Sequence, residues 1–298
     1  MEHAIETRDL TVRYPHDVGI EGITLAVERG ERFGFLGKNG AGKTTTIRVL
    51  LDLLRPDRGS AALLGVDVRK GGRELHRRVG YLPGDLALPE RLTGAQALDL
   101  FAALQGVAPL RRDAVLDRLG FPRAALTRPV RGYSTGMRQM IGITIAMQHA
   151  PELLILDEPT SGLDPVVRDA FLELVRDCPA QGQTVLLSSH VLDEVERCAD
   201  RVAIVHRGRL RKIGRIDELQ SDLRRTSPPI ATLTWRDGSR TVLHGTEGPE
   251  ALLSAAHAAA AQRPGELVDL DVRAPGLDAL FRAVVAEEAL GAAAERAT

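Results

Sequence analysis

Hydrophobic positions along the chain change period several times, and each change marks an element. Ile5, Thr7, Asp9 and Thr11 interleave with Glu6, Arg8, Leu10 and Val12, and Ile23, Leu25 and Val27 then recur with polar neighbours. Period-two alternation predicts two half-buried strands, paired antiparallel. Arg32-Phe33-Gly34-Phe35-Leu36 is a short apolar run that stops at Gly37. A glycine-rich turn follows, then Thr44–Leu54 with apolar Ile47, Val49, Leu50, Leu51 and Leu54. That order predicts strand, loop, helix, with Arg55-Pro56-Asp57-Arg58-Gly59 ending the helix in turn residues.

Val79–Leu82 predicts another short strand, and from Thr93 to Ala150 the pattern is helical. Thr93 is placed to cap a helix bearing Ala97, Leu98, Phe101 and Leu104. Leu153-Leu154-Ile155-Leu156-Asp157 is continuously apolar up to its last residue, and Thr184–Ser188 and Arg201–Val205 repeat that kind of run. Continuous runs alternating with helices predict a parallel sheet covered on both faces, an α/β fold. Near Thr226-Ser227-Pro228-Pro229 two prolines read as a linker. Beyond it Ile230–Trp235 and Arg240–His244 flank Asp237-Gly238, a hairpin signal. Helices at Pro249–Arg263 and Leu277–Arg296, with a strand at Leu267–Val272 between them, complete a small α+β appendage. The expected division is therefore 1–225, with a helical insert at about 86–150, and 230–298.

Composition narrows the chemistry. The 298 residues, 44% hydrophobic and 27% charged, are enough to bury a core without staples. Net charge is −1, from 39 basic and 40 acidic residues, and aromatics are 3%. Neither a global field nor a stacking platform draws this chain to nucleic acid. The arginine pairs Arg77-Arg78, Arg111-Arg112 and Arg224-Arg225 read as solvated faces. Cys178 and Cys198 fit a reducing compartment and read as small buried side chains. No basic segment precedes an apolar one at the start, and no stretch of ~18 apolar residues occurs, so neither a secretory leader nor a membrane span is expected. His16, His76, His149 and His206 have no metal-ligand spacing, so zinc is not expected.

Gly37-Lys38-Asn39-Gly40-Ala41-Gly42-Lys43-Thr44 matches the phosphate-loop pattern G-x-x-x-x-G-K-[ST]. Its glycines let backbone N–H groups curl around phosphate oxygens, and the helix beginning near Lys43 points its positive end at the same anion. Lys43 reaches the outer phosphates, and the Thr44 hydroxyl is placed to ligate Mg²⁺. Asp157, at the end of an apolar strand, falls near that metal, and Glu158 beside it is placed to polarise an attacking water.

With Tyr133-Ser134-Thr135-Gly136-Met137-Arg138-Gln139 added, the chain resembles the ABC-transporter ATPases over about residues 4–220, most closely the drug-resistance exporter branch. The resemblance implies a P-loop NTPase core with an antiparallel β subdomain and a helical subdomain. By it, Gly37–Thr45 is the Walker A loop, so that Gly37, Asn39, Gly40, Ala41, Gly42, Lys43, Thr44 and Thr45 surround ATP, with Tyr14 stacking on adenine. Leu153–Glu158 is Walker B, Ser161-Gly162-Leu163-Asp164 the D-loop, and His190 the switch histidine at the γ-phosphate. Ser134 reads as an N-cap, and Ser134–Gly136 is the signature that faces ATP held by another subunit, with Asp164 at the partner's site. The family pattern implies head-to-tail dimers, with each other or with a homologue. It also implies work on separate transmembrane permease subunits, docked through the helical insert, at the cytoplasmic face of a membrane. Rival readings are an importer subunit, a soluble ABC-type factor acting on ribosomes or DNA, and a binding-only regulator. Two positions depart from the pattern. Thr135 stands where glycine is usual, and Gly84 stands where the family's Mg²⁺-contacting glutamine is expected, with Asp85 next to it.

Overall fold

The computed structural model describes residues 3–15, 17–226, 229–245, 249–273, 276 and 278–281. Two compact units emerge, Met1–Ile213 and Gly214–Thr298. Ser227 and Pro228 of the expected linker lie outside the described residues. So does the helix expected at Leu277–Arg296, apart from its turn near Asp278–Phe281.

The first unit opens with β1 (His3–Tyr14) and β2 (Asp17–Glu28), paired antiparallel as the alternation predicts. The apolar phase of β1 slips from odd to even positions across Asp9, yet Ile5, Thr7, Leu10 and Val12 are all buried. The slip is a bulge. Asp9 takes φ 49°, the β1–β2 register shifts between Thr7 and Leu10, and the Asp9 N–H is met by Thr24 Oγ1 at 2.9 Å. The extra residue returns the following side chains to the same face. Thr7 is tolerated inside because its hydroxyl donates to the Ile23 carbonyl (3.0 Å) and accepts from the Leu25 N–H (3.1 Å).

β3 (Arg32–Leu36) leads through the glycine loop into α1 (Lys43–Leu50). This helix ends four residues earlier than expected. Asp52 turns left-handed at φ 54°, and the N–H groups of Leu53 and Leu54 fold back to the Arg48 carbonyl (2.8 and 3.2 Å). The segment read as a helix-ending turn instead begins β4 (Arg58–Leu63), which pairs with β1 and is followed by β5 (Val66–Asp67), giving the order β2-β1-β4-β5. These short strands and α2 (Val68–Arg77) were not visible in the pattern.

β6 (Val79–Leu82) then precedes α3 (Gly94–Gln105), α4 (Arg112–Arg118) and α5 (Thr135–Met147), which build the helical region. Thr93 caps α3 in a capping box with Gln96. β7 (Leu153–Asp157), α6 (Pro165–Asp177), β8 (Thr184–Ser189), α7 (Leu192–Cys198), β9 (Arg201–His206) and β10 (Arg209–Arg215) complete a six-stranded sheet, ordered β10-β9-β3-β8-β7-β6. From β9 to β6 it is parallel. Neighbouring residues of its central strands enter opposite cores. Ile155 and Leu186 pack with Phe33, Phe35 and Ile47, whereas Leu154, Leu156, Val185 and Leu187 pack with Ile141, Phe171 and Leu172. Burial on both faces is why these strands read as continuous apolar runs.

In the second unit α8 (Ile216–Thr226) precedes β11 (Ile230–Trp235), β12 (Arg240–His244), α9 (Pro249–Ala261) and β13 (Leu267–Arg273). The three strands form an antiparallel sheet in the order β12-β11-β13. The hairpin turns where Asp237-Gly238 predicts, with Gly238 at φ 80° and Asp237 Oδ1 accepting from the Ser239 N–H at 2.8 Å. Ala231, Leu233 and Trp235 pack against Leu252 and Ala256 of α9. Among the described residues no helix is long and apolar enough to cross a membrane.

Cys178 and Cys198 are both free and buried, and burial pushes each thiol up to about 12. At pH 8 the folded chain therefore presents almost no thiolate, the nucleophilic form. Iodoacetamide at pH 8 is expected to label neither cysteine in buffer and both in denaturant. The check is intact-mass spectrometry of the two samples.

Candidate functional site

Gly37 follows directly on β3, and its N–H donates to the Ser189 carbonyl at 3.3 Å. A Cβ there would come within 2.6 Å of the Val205 carbonyl oxygen, so only glycine lets the loop start this close to the sheet. Gly42, at φ 104°, is the N-cap of α1, and a Cβ on it would meet the Gly19 carbonyl at 2.8 Å. Lys43 is only 5% exposed. Its Nζ donates to the Gly37 carbonyl at 2.6 Å, lies 3.4 Å from the Lys38 carbonyl, and pairs with Glu158 Oε1 at 3.0 Å. Around this loop lies a cavity of about 400 Å³, lined by Tyr14, Val18, Gly19, Lys38 to Thr45, and Glu158. Tyr14 brings its hydroxyl to 3.4 Å from Thr45 Oγ1.

Two carboxylates meet the loop from β7. Asp157, 1% exposed, is its last residue. Oδ2 accepts from Thr44 Oγ1 at 2.8 Å, and Oδ1 accepts from Ser188 Oγ at the end of β8. Glu158 sits at φ 49°, a left-handed conformation unfavourable for a side chain with a Cβ, and its N–H donates to the Ser188 carbonyl at 3.1 Å. From there its carboxylate spans two groups, with Lys43 on Oε1 and His190 Nδ1 2.6 Å from Oε2. The imidazole remains half-exposed. Burial, with the Asp157 charge second, pushes the nearby Tyr81 hydroxyl above its usual range.

Gly84 lies against the same carboxylate. A Cβ at this position would stand 3.4 Å from the Asp157 carbonyl oxygen and 3.5 Å from Oδ2, ordinary contact distances. Asp85, the next residue, is exposed.

The signature segment forms a second cavity, of about 510 Å³, which shares no lining residue with the first. Ser134 caps α5, its Oγ accepting from the Met137 N–H at 3.2 Å. Ser134, Thr135 and Gly136 line this cavity together with Gly162, Leu163 and Asp164. Asp164 caps α6, Oδ1 accepting from the N–H groups of Val166 and Val167 at 3.0 Å each. Buried Gln139 ties the two segments, donating from Nε2 to the Pro159 carbonyl at 2.7 Å. The sequence alone assigns no individual role to Ser188 or Gln139. The pair of hydroxyls closing the apolar β8 run is the available signal for Ser188, and Gln139 is marked only as the last residue of the signature segment.

A family profile described as ABC transporter matches residues 20–161. The daunorubicin/doxorubicin resistance ATP-binding protein DrrA of Streptomyces peucetius is 40% identical over 74% of this chain and 68% of its own length. The chain belongs to the ABC transporter family. Its ATP-binding relatives include the bacitracin transport ATP-binding protein BcrA of Bacillus licheniformis, 38% identical over 70% of this chain and 69% of the relative. A Nostoc ABC transporter ATP-binding protein is 43% identical, over 68% of this chain and 61% of that protein. The ATP-binding subunit of an ABC transporter superposes with a TM-score of 0.68 at 33% identity, covering 74% of this chain and 92% of the neighbour. A dimeric ATP-binding cassette bound to ADP and Pi shares the fold, with a TM-score of 0.65 at 17% identity, covering 71% and 98%. The six-stranded sheet with its helical region is thus the ABC ATPase fold, as expected from the sequence.

Lys43→Ala removes the one ammonium that the loop folds around. Losing a charge-assisted contact to phosphate is expected to weaken nucleotide binding by roughly 1.5–3 kcal/mol, about tenfold or more in Kd. Titration calorimetry with ATP checks this, and unchanged affinity would contradict the placement of phosphate at this loop.

Proposed function

We propose that this ABC ATP-binding protein hydrolyses MgATP as the motor subunit of an exporter, acting on transmembrane permease subunits carried by separate chains. The observation that carries the reading is Glu158, a carboxylate held between the phosphate-loop lysine and His190. The glycine loop and Lys43 bind the phosphates, and Tyr14 offers its ring to the base. Thr44 and Asp157 present adjoining hard oxygen donors, a set that suits Mg²⁺, which uses few protein ligands and keeps waters and phosphate oxygens. They would hold the ion, whose charge would offset that of the phosphates in the transition state. Glu158 orients the attacking water and accepts its proton as the water oxygen bonds to the γ-phosphorus, while the bond from that phosphorus to the β–γ bridging oxygen breaks and ADP leaves with the oxygen. His190 holds the Glu158 carboxylate in place and faces the γ-phosphate.

Two separate cavities on one chain support head-to-tail pairing, since a single copy's signature does not line its own phosphate loop. In such a pair Ser134 and Gly136 present the α5 N-terminus to the partner's nucleotide, and Asp164 lies at the same boundary. The names of DrrA and BcrA favour export. Association with the membrane is then indirect, at its cytoplasmic face. The second unit, expected from the sequence to span 230–298, serves dimerisation or regulation.

Glu158→Gln keeps size and hydrogen bonding and removes the base. Hydrolysis is expected to fall by a factor of about 10²–10⁴, with ATP binding retained and a dimer accumulating on size-exclusion chromatography. Near-normal turnover would sink the assignment. The metal reading is checked at Gly84. Water fills the position that its absent side chain leaves, and Asp85 is exposed, so Asp85→Ala should leave the half-saturating Mg²⁺ concentration for ATPase unchanged. A Cβ at position 84 meets Asp157 only at ordinary contact distances, and Gly84→Gln should lower that concentration. A large rise in Asp85→Ala would instead make the aspartate a ligand.

A further inference from the structure

Glu194 is a carboxylate that the reaction as drawn does not use, and it is 2% exposed. Burying a carboxylate is costly unless specific partners answer it. Its Oε2 accepts from Ser189 Oγ at 2.9 Å. That same hydroxyl oxygen accepts from the Val191 N–H at 3.0 Å, and the Ser189 carbonyl accepts from the Gly37 N–H at 3.3 Å. The residues on both sides of His190 are therefore fixed through one hydroxyl, and the hydroxyl's proton is committed to Glu194.

The helix that carries Glu194 is itself seated on the strand that feeds the phosphate loop. A Cβ on Gly34 of β3 would fall 2.4 Å from Val195 Cγ1, so α7 packs as close to β3 as a glycine permits. Cys198 Sγ donates to the Glu194 carbonyl at 3.0 Å within α7. His190, by contrast, has a half-exposed ring whose hydrogen bond runs to Glu158. An exposed imidazole on a strand-to-helix junction keeps one position only if the backbone beneath it does.

We infer that Glu194 is a positioning residue for ATP hydrolysis, setting the His190 ring against Glu158 through Ser189. The inference rests on the proposed role of Glu158 and His190. Glu194 does not line the cavity around the phosphate loop; it acts by fixing the backbone from Ser189 to Val191. Small displacements of a positioned group are enough to lower a rate tenfold or more.

The test is steady-state ATPase kinetics and ATP affinity of the full chain carrying Glu194→Ala, Glu194→Gln, Ser189→Ala and His190→Ala, singly and as doubles with His190→Ala. Glu194→Ala and Ser189→Ala are each expected to lower kcat by about tenfold with Kd for ATP within about twofold. Glu194→Gln, whose amide oxygen still accepts from Ser189, should recover most of kcat. In the His190→Ala background neither substitution should lower kcat further, because the group they position is gone. A full additional loss in that background overturns the inference, as does a wild-type kcat in Ser189→Ala. Ser189→Ala removes a single oxygen and serves where Glu194→Ala does not fold. Wild-type turnover of His190→Ala itself would instead overturn the functional reading beneath it.

Discussion

A buried ammonium governs this site. Lys43 cannot remain 5% exposed unless oxygens surround it, and the molecule supplies them from two directions. The Gly37 carbonyl, closest at 2.6 Å, and the Lys38 carbonyl come from its own loop, and Glu158 comes from the end of β7. Each requires a backbone arrangement that is not free. The loop must start against β9, which only glycine at position 37 permits, and Glu158 must turn left-handed as the chain leaves the sheet.

The parallel sheet makes that convergence possible. Leu36 lies beside Ser189 in register, and Asp157 beside Ser188, so three adjacent strands release their chains at one level. Groups at the carboxyl ends of β3, β7 and β8 then lie within hydrogen-bonding distance without any long side chain reaching across. This is the general site for ligands in open α/β sheets. It also explains why serines close β8. In a strand buried on both faces, a hydroxyl is admitted where it has a partner, and Ser188 and Ser189 find theirs in Asp157 and Glu194.

Local chemistry was legible in the sequence wherever it is written in contiguous residues. The phosphate loop, the acid pair at the end of β7 and the cap at Ser134 occupy the positions their patterns imply, and the Asp237-Gly238 turn does the same in the second unit. What escaped depends on contacts distant in sequence. β4 was hidden because Arg58-Gly59 has turn chemistry, yet the chain there is held by Thr11, whose carbonyl accepts the Asp57 N–H at 2.8 Å. α1 ends before its apolar pattern does, because Leu53 and Leu54 continue that pattern while their N–H groups return to Arg48. Glu194 reads as one of several acids in a short helix, and only the depth of α7 against Gly34 shows that it is inside.

The signature segment adds a constraint that no single motif reveals. A Cβ on Gly162 would fall 2.6 Å from Thr135 Cγ2, and one on Gly136 would fall 3.1 Å from the Gly162 carbonyl, so the loop after Glu158 and the start of α5 are packed to the limit that glycine allows. Gln139 adds a hydrogen bond from α5 to Pro159, the residue next to Glu158. Contacts this tight do not slide; a shift in one segment moves the other. Thr135, at the position where glycine is usual, is therefore part of this packing, its methyl group resting against Gly162. The helix end with which this chain would meet a partner's nucleotide is thereby tied, within a few residues, to the carboxylate that would act on its own.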